Sequence, residues 1–298
     1  MAPRMIRSLR TRVAAGLAAC LLALALATGG SWARNQARDR AEDERMETSQ
    51  IVLTVLYNNV AHDPGLEESW GMSCLIEGLK KTILFDTGGE GRILISNMAR
   101  LGKRPDQVEA VVLSHAHGDH TGGLGAILQR CGKVEIYVPK SFPDDFKRRV
   151  QETGAKVVSL DRPARIAGGV YSTGEMGLGI KEQALILQVQ EGLVVLTGCA
   201  HPGVVNVVRR AREVCPGQVH LVGGGFHLSG ASAREVEGII GQLKALGVRK
   251  VGPSHCTGRR AIEMFRQAWR EDFVPFGCGA IVRLDPPAGR APEGGGLD

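Results

Sequence analysis

The sequence contains no C-x-x-C pair and no compact cysteine framework. Of its seven cysteines, Cys20 falls in an N-terminal apolar run and the others are scattered between Cys74 and Cys278. That spacing excludes a disulfide scaffold, so stability has to come from an apolar core. With 298 residues, 43% of them hydrophobic, the chain can build one, and Cys74 and Cys215 stand at apolar positions within it. There is also little excess charge. The formal net charge is +6, but Arg4, Arg7, Arg10 and Arg12 all precede the first apolar run, and without these four the remainder carries +2 (6 − 4). So weak a balance gives no footprint for a polyanion, and nucleic acid is not an expected partner. Residues 34–50 almost lack large apolar side chains and mix both signs of charge, as a solvated linker does.

The N-terminus reads as a targeting segment. The four arginines form a positive leader, residues 13–28 are apolar and uncharged, and Ser31-Trp32-Ala33 offers small residues at the spacing of a signal-peptidase site. Residues 1–33 are therefore expected to be a signal peptide or a retained membrane anchor with its arginines inside. Either form places the rest of the chain outside the cytoplasm, periplasmic or membrane-anchored. The apolar run continues past Cys20, which argues against a lipoprotein box there. Two later thiols, Cys199 and Cys256, are at odds with an oxidising compartment.

Residues 111–123 are the centre of the sequence. A β-branched run ends in His115-Ala116-His117-Gly118-Asp119-His120, closed by Thr121-Gly122-Gly123. In extended backbone alternate side chains point the same way, so His115 and His117 can converge on one point. Gly118 then lets the chain turn, and Asp119 and His120 emerge in a new direction as a helix begins. Imidazole and carboxylate are ligands for zinc, iron or manganese, and the glycine-rich surround suits an open, catalytic site. Three further histidines follow strand-like runs: His201 after 193–197, His227 after 219–222 and His255 after 248–251. His62, in a polar loop, and His220, inside a strand pattern, read as structural.

The periodicity predicts strands over 51–57, 72–77 and 81–85, with a hairpin at 77–80. Asp86-Thr87-Gly88 then turns into a helix over 92–101. Strands at 134–138, 156–160, 170–173, 184–189, 193–197, 219–222 and 248–251 alternate with helices over 126–131, 144–153, 204–214, 231–246 and 259–269. The class is mixed α/β, in two similar halves. Pro286 onward is Pro/Gly-rich, and residues 285–298 are expected to be a disordered tail.

His115-Ala116-His117-Gly118-Asp119-His120 resembles the His-x-His-x-Asp-His signature of the metallo-β-lactamase superfamily. Phe85-Asp86-Thr87-Gly88 is similar to the aspartate turn upstream of it. Thr197-Gly198-Cys199-Ala200-His201-Pro202-Gly203, Gly224-Gly225-Phe226-His227-Leu228 and Ser254-His255-Cys256-Thr257-Gly258 are similar to a branch labelled dihydropterin ribofuranosylaminobenzene 5′-phosphate synthase. The resemblance covers residues 51–284 and implies a four-layer αββα sandwich with the site where strand-end loops converge. It also implies one or two divalent transition-metal ions, zinc foremost. His115, His117 and His201 would hold one ion, and Asp119, His120 and His255 the other, with Asp86 bracing the loop behind them. Many relatives carry Thr-Gly-Asp where this chain has Thr197-Gly198-Cys199, so a bridging aspartate is replaced by a softer Cys199 beside the second ion. With no histidine between His120 and Cys199, either His201 or a residue such as Glu175 has to complete the first set.

A metal-activated water makes hydrolysis of an ester or phosphoester in a small molecule the expected reaction. Asp119 would hold the second ion or orient the water, and His227 would protonate the leaving group. The synthase label implies group transfer on a pterin or phosphoribosyl-type substrate instead. A third alternative is a non-catalytic metal-binding or ligand-sensing module. A diiron redox protein of the superfamily would carry a carboxylate at Ala116-His117 and a flavin domain, and a nuclease a basic arm; this sequence has none of these.

Overall fold

The computed structural model describes residues 50–287. The expected targeting segment and linker, and the tail from residue 288, lie outside the described residues. No helix among the described residues is long and apolar enough to cross a membrane.

Among the described residues, thirteen strands form two sheets. The first contains β1 (Ile51–Asn58), β2 (Met72–Glu77), β3 (Ile83–Phe85), β4 (Ala110–Val112), β5 (Glu135–Pro139), β6 (Lys156–Leu160) and β13 (Ile281–Leu284). Their order is β13-β1-β2-β3-β4-β5-β6. The second contains β7 (Ala164–Ala167), β8 (Val170–Ser172), β9 (Leu185–Val189), β10 (Gly192–Thr197), β11 (Val219–Gly225) and β12 (Lys250–Ser254), in the order β12-β11-β10-β9-β8-β7. Strands β3 to β6 are parallel, as are β10 to β12; the remaining pairs are antiparallel. Parallel neighbours need crossovers. Helices supply them: α1 (Gly91–Arg100), the short α2 (Gly118–Thr121) and α3 (Leu124–Leu128), α4 (Asp144–Glu152), α5 (Val204–Val214) and α6 (Ala233–Ala245). A last helix, α7 (Arg259–Trp269), precedes β13.

The apolar side chains sort into three layers of core. Leu53, Val55, Phe85 and Val112 from the first sheet pack with Leu185, Leu187, Val194, Leu196 and Leu221 from the second. On the outer face of the first sheet, Leu56, Leu84, Val111 and Ile136 meet Leu94 and Met98 of α1 and Val150 of α4. On the outer face of the second, Val195, Val219 and Val222 meet Val208 of α5, Leu243 of α6 and Phe265 of α7. Helices, sheet, sheet, helices: this is the four-layer sandwich, and alternate residues of one strand serve different layers because its side chains alternate.

Several element boundaries differ from the sequence reading. The helix expected from residue 231 starts at Ala233, because Ser232 and Glu235 form a capping box. The strand expected at 248–251 begins at Lys250. Gly247, at φ 74°, ends α6, and the Val248 N–H turns back to the Leu243 carbonyl at 3.1 Å. The edge strands β7 and β13 were not expected; both are four residues long and half-exposed, leaving little apolar pattern to read. β13 pairs with β1 in the register Ile51↔Leu284.

Candidate metal centre

The expected metal-site residues lie just past the C-terminal ends of parallel strands. Asp86 follows β3, the His115–His120 loop follows β4, Cys199 and His201 follow β10, His227 follows β11 and His255 follows β12. That edge is where the crossovers leave the sheet, so its loops can turn inward.

Asp86 organises the first half. It is fully buried, at φ 57°. Its Oδ1 accepts the Ser114 backbone N–H at 2.7 Å and its Oδ2 the Ser114 hydroxyl at 2.7 Å. The same Oδ2 lies 2.7 Å from His120 Nδ1. With its proton given to Asp86, Ser114 Oγ is left to accept from His115 Nδ1 at 2.8 Å. Both imidazoles are thereby fixed with the proton on Nδ1 and the Nε2 lone pair turned outward, the orientation a metal ligand needs. Gly198 permits the close approach of the opposite sheet, since a Cβ there would lie 2.9 Å from Asp86 Oδ2.

Of the overlapping donor groups that result, two match the expected sets. His115, His117 and His201 present ligand atoms within 4.8 Å of one another, as do Asp119, His120 and His255. His115 Nε2 is 3.1 Å from His117 Nδ1. His255 is held from behind by Asn59, with Nδ1 2.7 Å from Asn59 Oδ1, which leaves its Nε2 as an acceptor 3.3 Å from Asp119 Oδ2. Two acceptors facing each other at that distance want a cation between them. The Nε2 atoms of His201 and His255 are buried without a hydrogen-bond partner, a costly state for polar atoms. Orphaned nitrogens, imidazoles held in one tautomer and a carboxylate together fit a divalent transition-metal ion.

The electrostatics of these groups follow from burial and from one another. Burial, and then the neighbouring His120, His201 and His117, hold His115 far below the ordinary imidazole range. His201 is pushed down to about 4, first by burial and then by His227 and His117. For His120 burial is again the largest influence and lowers it, but the Asp86 charge and hydrogen bond, with Asp119, outweigh burial and raise it. Asp119 is raised by burial, yet the adjoining His255 and His120 carry it below the carboxylate range. The Cys199 thiol, against Cys256 and buried, is pushed well up.

His227 is exposed at φ 53°, its ring 4.4 Å from that of His201. Cys199 is 3% exposed, with Sγ 3.2 Å from His120 Nε2, next to the second donor group. Glu175 does not complete the first group: its carboxylate accepts the Ser141 N–H at 2.7 Å, and His201 takes the place beside His115 and His117. His62 is exposed in its loop, and His220 is buried within β11.

The family model of the Metallo-beta-lactamase superfamily matches residues 71–214. Over 263 residues the chain is 30% identical to the 7,8-dihydropterin-6-methyl-4-(beta-D-ribofuranosyl)-aminobenzene-5'-phosphate synthase of Methanocaldococcus jannaschii, covering 72% of this chain and 90% of that protein. The chain belongs to the metallo-β-lactamase superfamily. Among solved structures, a metal-dependent hydrolase of the beta-lactamase superfamily aligns with a TM-score of 0.66 at 26% identity, over 79% of this chain and 99% of that one. The metallo-beta-lactamase fold protein YhfI from Bacillus subtilis aligns with a TM-score of 0.59 at 14% identity, over 78% and 99%; it shares the fold.

Three residues around this metallo-β-lactamase-type site escaped the sequence reading. Glu182 is buried, and its carboxylate accepts the backbone N–H groups of Cys199, Ala200 and His201 at 2.9, 2.9 and 2.8 Å. It clamps the turn that carries both side chains, including Ala200 at φ 56°. In sequence, Ile180-Lys181-Glu182-Gln183 reads as a charged loop, and only the fold brings it to the turn. Asn59 was invisible for the same reason. Trp70 is 55% exposed, with its ring 4.9 Å from that of His255; an exposed tryptophan among few aromatics was the available signal.

Proposed function

We propose that this superfamily member is a metal-dependent hydrolase acting on a small molecule that carries an ester or phosphoester. The observation that supports it most is the pair of donor groups meeting where the two sheets' strand ends converge, with the Nε2 atoms of His201 and His255 buried and unpartnered. His115, His117 and His201 would hold one divalent ion, and Asp119, His120 and His255 a second, zinc by donor type, with iron or manganese as alternatives. Such ions supply Lewis acidity and make water a nucleophile at neutral pH.

The chain's own groups divide the remaining work. Asp119 is partly exposed and ionised, so it can accept a hydrogen bond from an attacking water and fix its direction. His227 lines an open cleft of about 830 Å³ with Leu228, Ser229, Ala231, Glu235 and Ile239, a cleft that none of the six donor residues lines, and its ring lies 4.4 Å from that of His201. From there it can hand a proton to a leaving group. The near-neutral charge beyond the leading arginines supports a small molecule over nucleic acid as the partner. We further propose that residues 1–33 export the protein or anchor it at a membrane.

A second reading is group transfer on a pterin or phosphoribosyl-type substrate, favoured by the 30% identity to the synthase from Methanocaldococcus jannaschii. Two measurements separate the possibilities. Elemental analysis of the His115→Ala, His117→Ala double variant should show loss of metal; undiminished metal ends the metal-centre reading. The metal-loaded protein is then assayed on esters, lactones, phosphomonoesters and phosphodiesters. Full metal content with no turnover on any of them would leave the transferase or a ligand-sensing module.

A further inference from the structure

Four large apolar side chains among the described residues are exposed: Trp70, Leu178, Ile180 and Ile281. Trp70 is the aromatic one, and its ring stands 4.9 Å from that of His255 with the planes 53° apart. The indole thus borders the second donor group while 55% of the residue stays open to solvent.

The backbone puts it there. Gly71 follows at φ 139°, and a Cβ on it would lie 2.3 Å from the Asp119 carbonyl oxygen and 3.0 Å from the Tyr57 ring. Glycine lets the chain pass this close to the donor loop. The loop that leads to Trp70 is tied down along its length. The Asp63 N–H donates to the Cys278 carbonyl at 2.9 Å, and the Cys278 N–H to the Val60 carbonyl at 2.8 Å. Asn97 of α1 accepts the Glu67 N–H at 3.0 Å and donates to the Glu67 carbonyl at 2.8 Å. Arg92 holds the Glu67 carboxylate with two bonds of 2.9 and 2.6 Å, and the Ser69 N–H reaches the Asn58 carbonyl at 3.3 Å. A tryptophan on a loose loop could fold down onto apolar surface. On this fixed loop its apolar area faces water until a ligand covers it, and a ring already held in place loses little freedom when it binds.

Leu178 and Ile180 lie on the loop between Met176 and Glu182, where a Cβ on Gly177 would stand 3.5 Å from the Pro202 ring. They are therefore beyond His201, whereas Trp70 is beyond His255. Between them runs the row of imidazoles His255, His120, His115 and His201, whose ring centres step by 5.0, 4.2 and 4.8 Å. A lipid surface touching both ends would have to cover the exposed His117 and the half-buried Asp119, polar groups that acyl chains do not accommodate. A ring on a small molecule avoids that cost.

We propose that Trp70 is a stacking platform of this site: the substrate carries a planar aromatic or heteroaromatic ring close to the group that the metal centre engages, and Trp70 selects it over a saturated ring of the same size. The inference rests on the hydrolase reading, in which that group is the ester or phosphoester, and the test keeps the two apart.

The full-length, zinc-loaded protein is titrated calorimetrically with phenylphosphonate and with cyclohexylphosphonate. The two share a head group, present a flat and a puckered ring, and contain no ester to be cleaved. The phenyl compound should bind about two- to tenfold tighter and perturb the indole fluorescence. Trp70→Leu, which keeps an apolar side chain without the aromatic face, should bring the two affinities together and remove the fluorescence change with metal content unaltered. Trp70→Phe should retain most of the preference. Equal affinities in the parent, or a preference that survives Trp70→Leu, would overturn the platform and leave the hydrolase reading as it was. Binding of neither phosphonate would overturn the platform as well. Indifference to the ring, combined with binding to phosphatidylcholine–phosphatidylglycerol vesicles that weakens in Trp70→Leu, would assign the residue to a lipid surface instead. A ring preference in a protein that turns over none of the esters or phosphoesters would keep the platform and end the hydrolase reading.

Discussion

Replacing Glu182 by glutamine tests how the first donor group is held. The two side chains have nearly the same shape, so no cavity forms and only the acceptor pattern changes. Two of the three backbone N–H groups, those of Cys199 and Ala200, point at Oε1, and the third, that of His201, points at Oε2. Glutamine keeps a neutral oxygen for the first two, and each loses the charge assistance, about 1 kcal/mol. Its amide nitrogen then faces the His201 N–H, donor against donor, in a buried place, which costs a further 1–3 kcal/mol or so. Relief from burying a carboxylate offsets part of this, because burial, the largest influence on Glu182, works against its ionised form. A net loss of about 2–4 kcal/mol remains, which for a domain of this size lowers Tm by roughly 5–15 °C. Thermal and urea unfolding measure that loss. The specific readout is metal: His201 should release the ion it shares with His115 and His117 while the Asp119, His120 and His255 position stays filled. An unchanged midpoint with both ions retained would refute the clamp.

Asp86→Asn should act on the other position. The amide nitrogen would replace the oxygen that serves the Ser114 hydroxyl and His120 Nδ1, both at 2.7 Å, costing roughly 3–5 kcal/mol and freeing the His120 tautomer. Metal stoichiometry should fall from two to one, and an unaltered count would contradict the bracing role. In the metal-free protein, His201 titrates at about 4 against an ordinary 6.5. The unfolded chain therefore takes up a proton first as pH falls, so stability is full above pH 6.5 and is lost between 6.5 and about 4. His120, raised by Asp86 against burial, has the opposite sign, its contribution present below 6.5 and fading as pH rises. Urea midpoints of metal-free His201→Asn should accordingly show a shallower acid limb than the parent; an equal limb argues against the shift. A chain beginning at Ser49 should fold and take up metal, because β1 already starts at Ile51, and insoluble material would assign the preceding residues a structural part. Fractionation of the full-length protein should find it outside the cytoplasm, and a cytosolic pool alone would rule out export.

Local chemistry made part of this protein readable without its fold. The alternation around His115 and His117 follows from the two-residue repeat of a strand, and the turn to Asp119 and His120 from Gly118. The histidines after β10, β11 and β12 were visible because parallel strands end in glycine-rich turns that the sequence spells out. Even the start of α6 was spelled out, in Ser232 and Glu235, though the apolar pattern drew attention two residues earlier. What the residues at one position cannot report is who arrives from elsewhere. Glu182 reaches the turn at Cys199 from 17 residues away, and Asn59 holds His255 across 196. Gly225 matters only because the strands on either side bring Cys199 and Cys256 against it. Such partners carry no periodic signal, since a hydrogen bond or a missing Cβ is satisfied by whatever the packed sheets bring within about 3 Å. The donor types were set by sequence; the tautomers of His115 and His120, the shared orientation of the donors and the thiol beside His120 were set by the meeting of the two sheets.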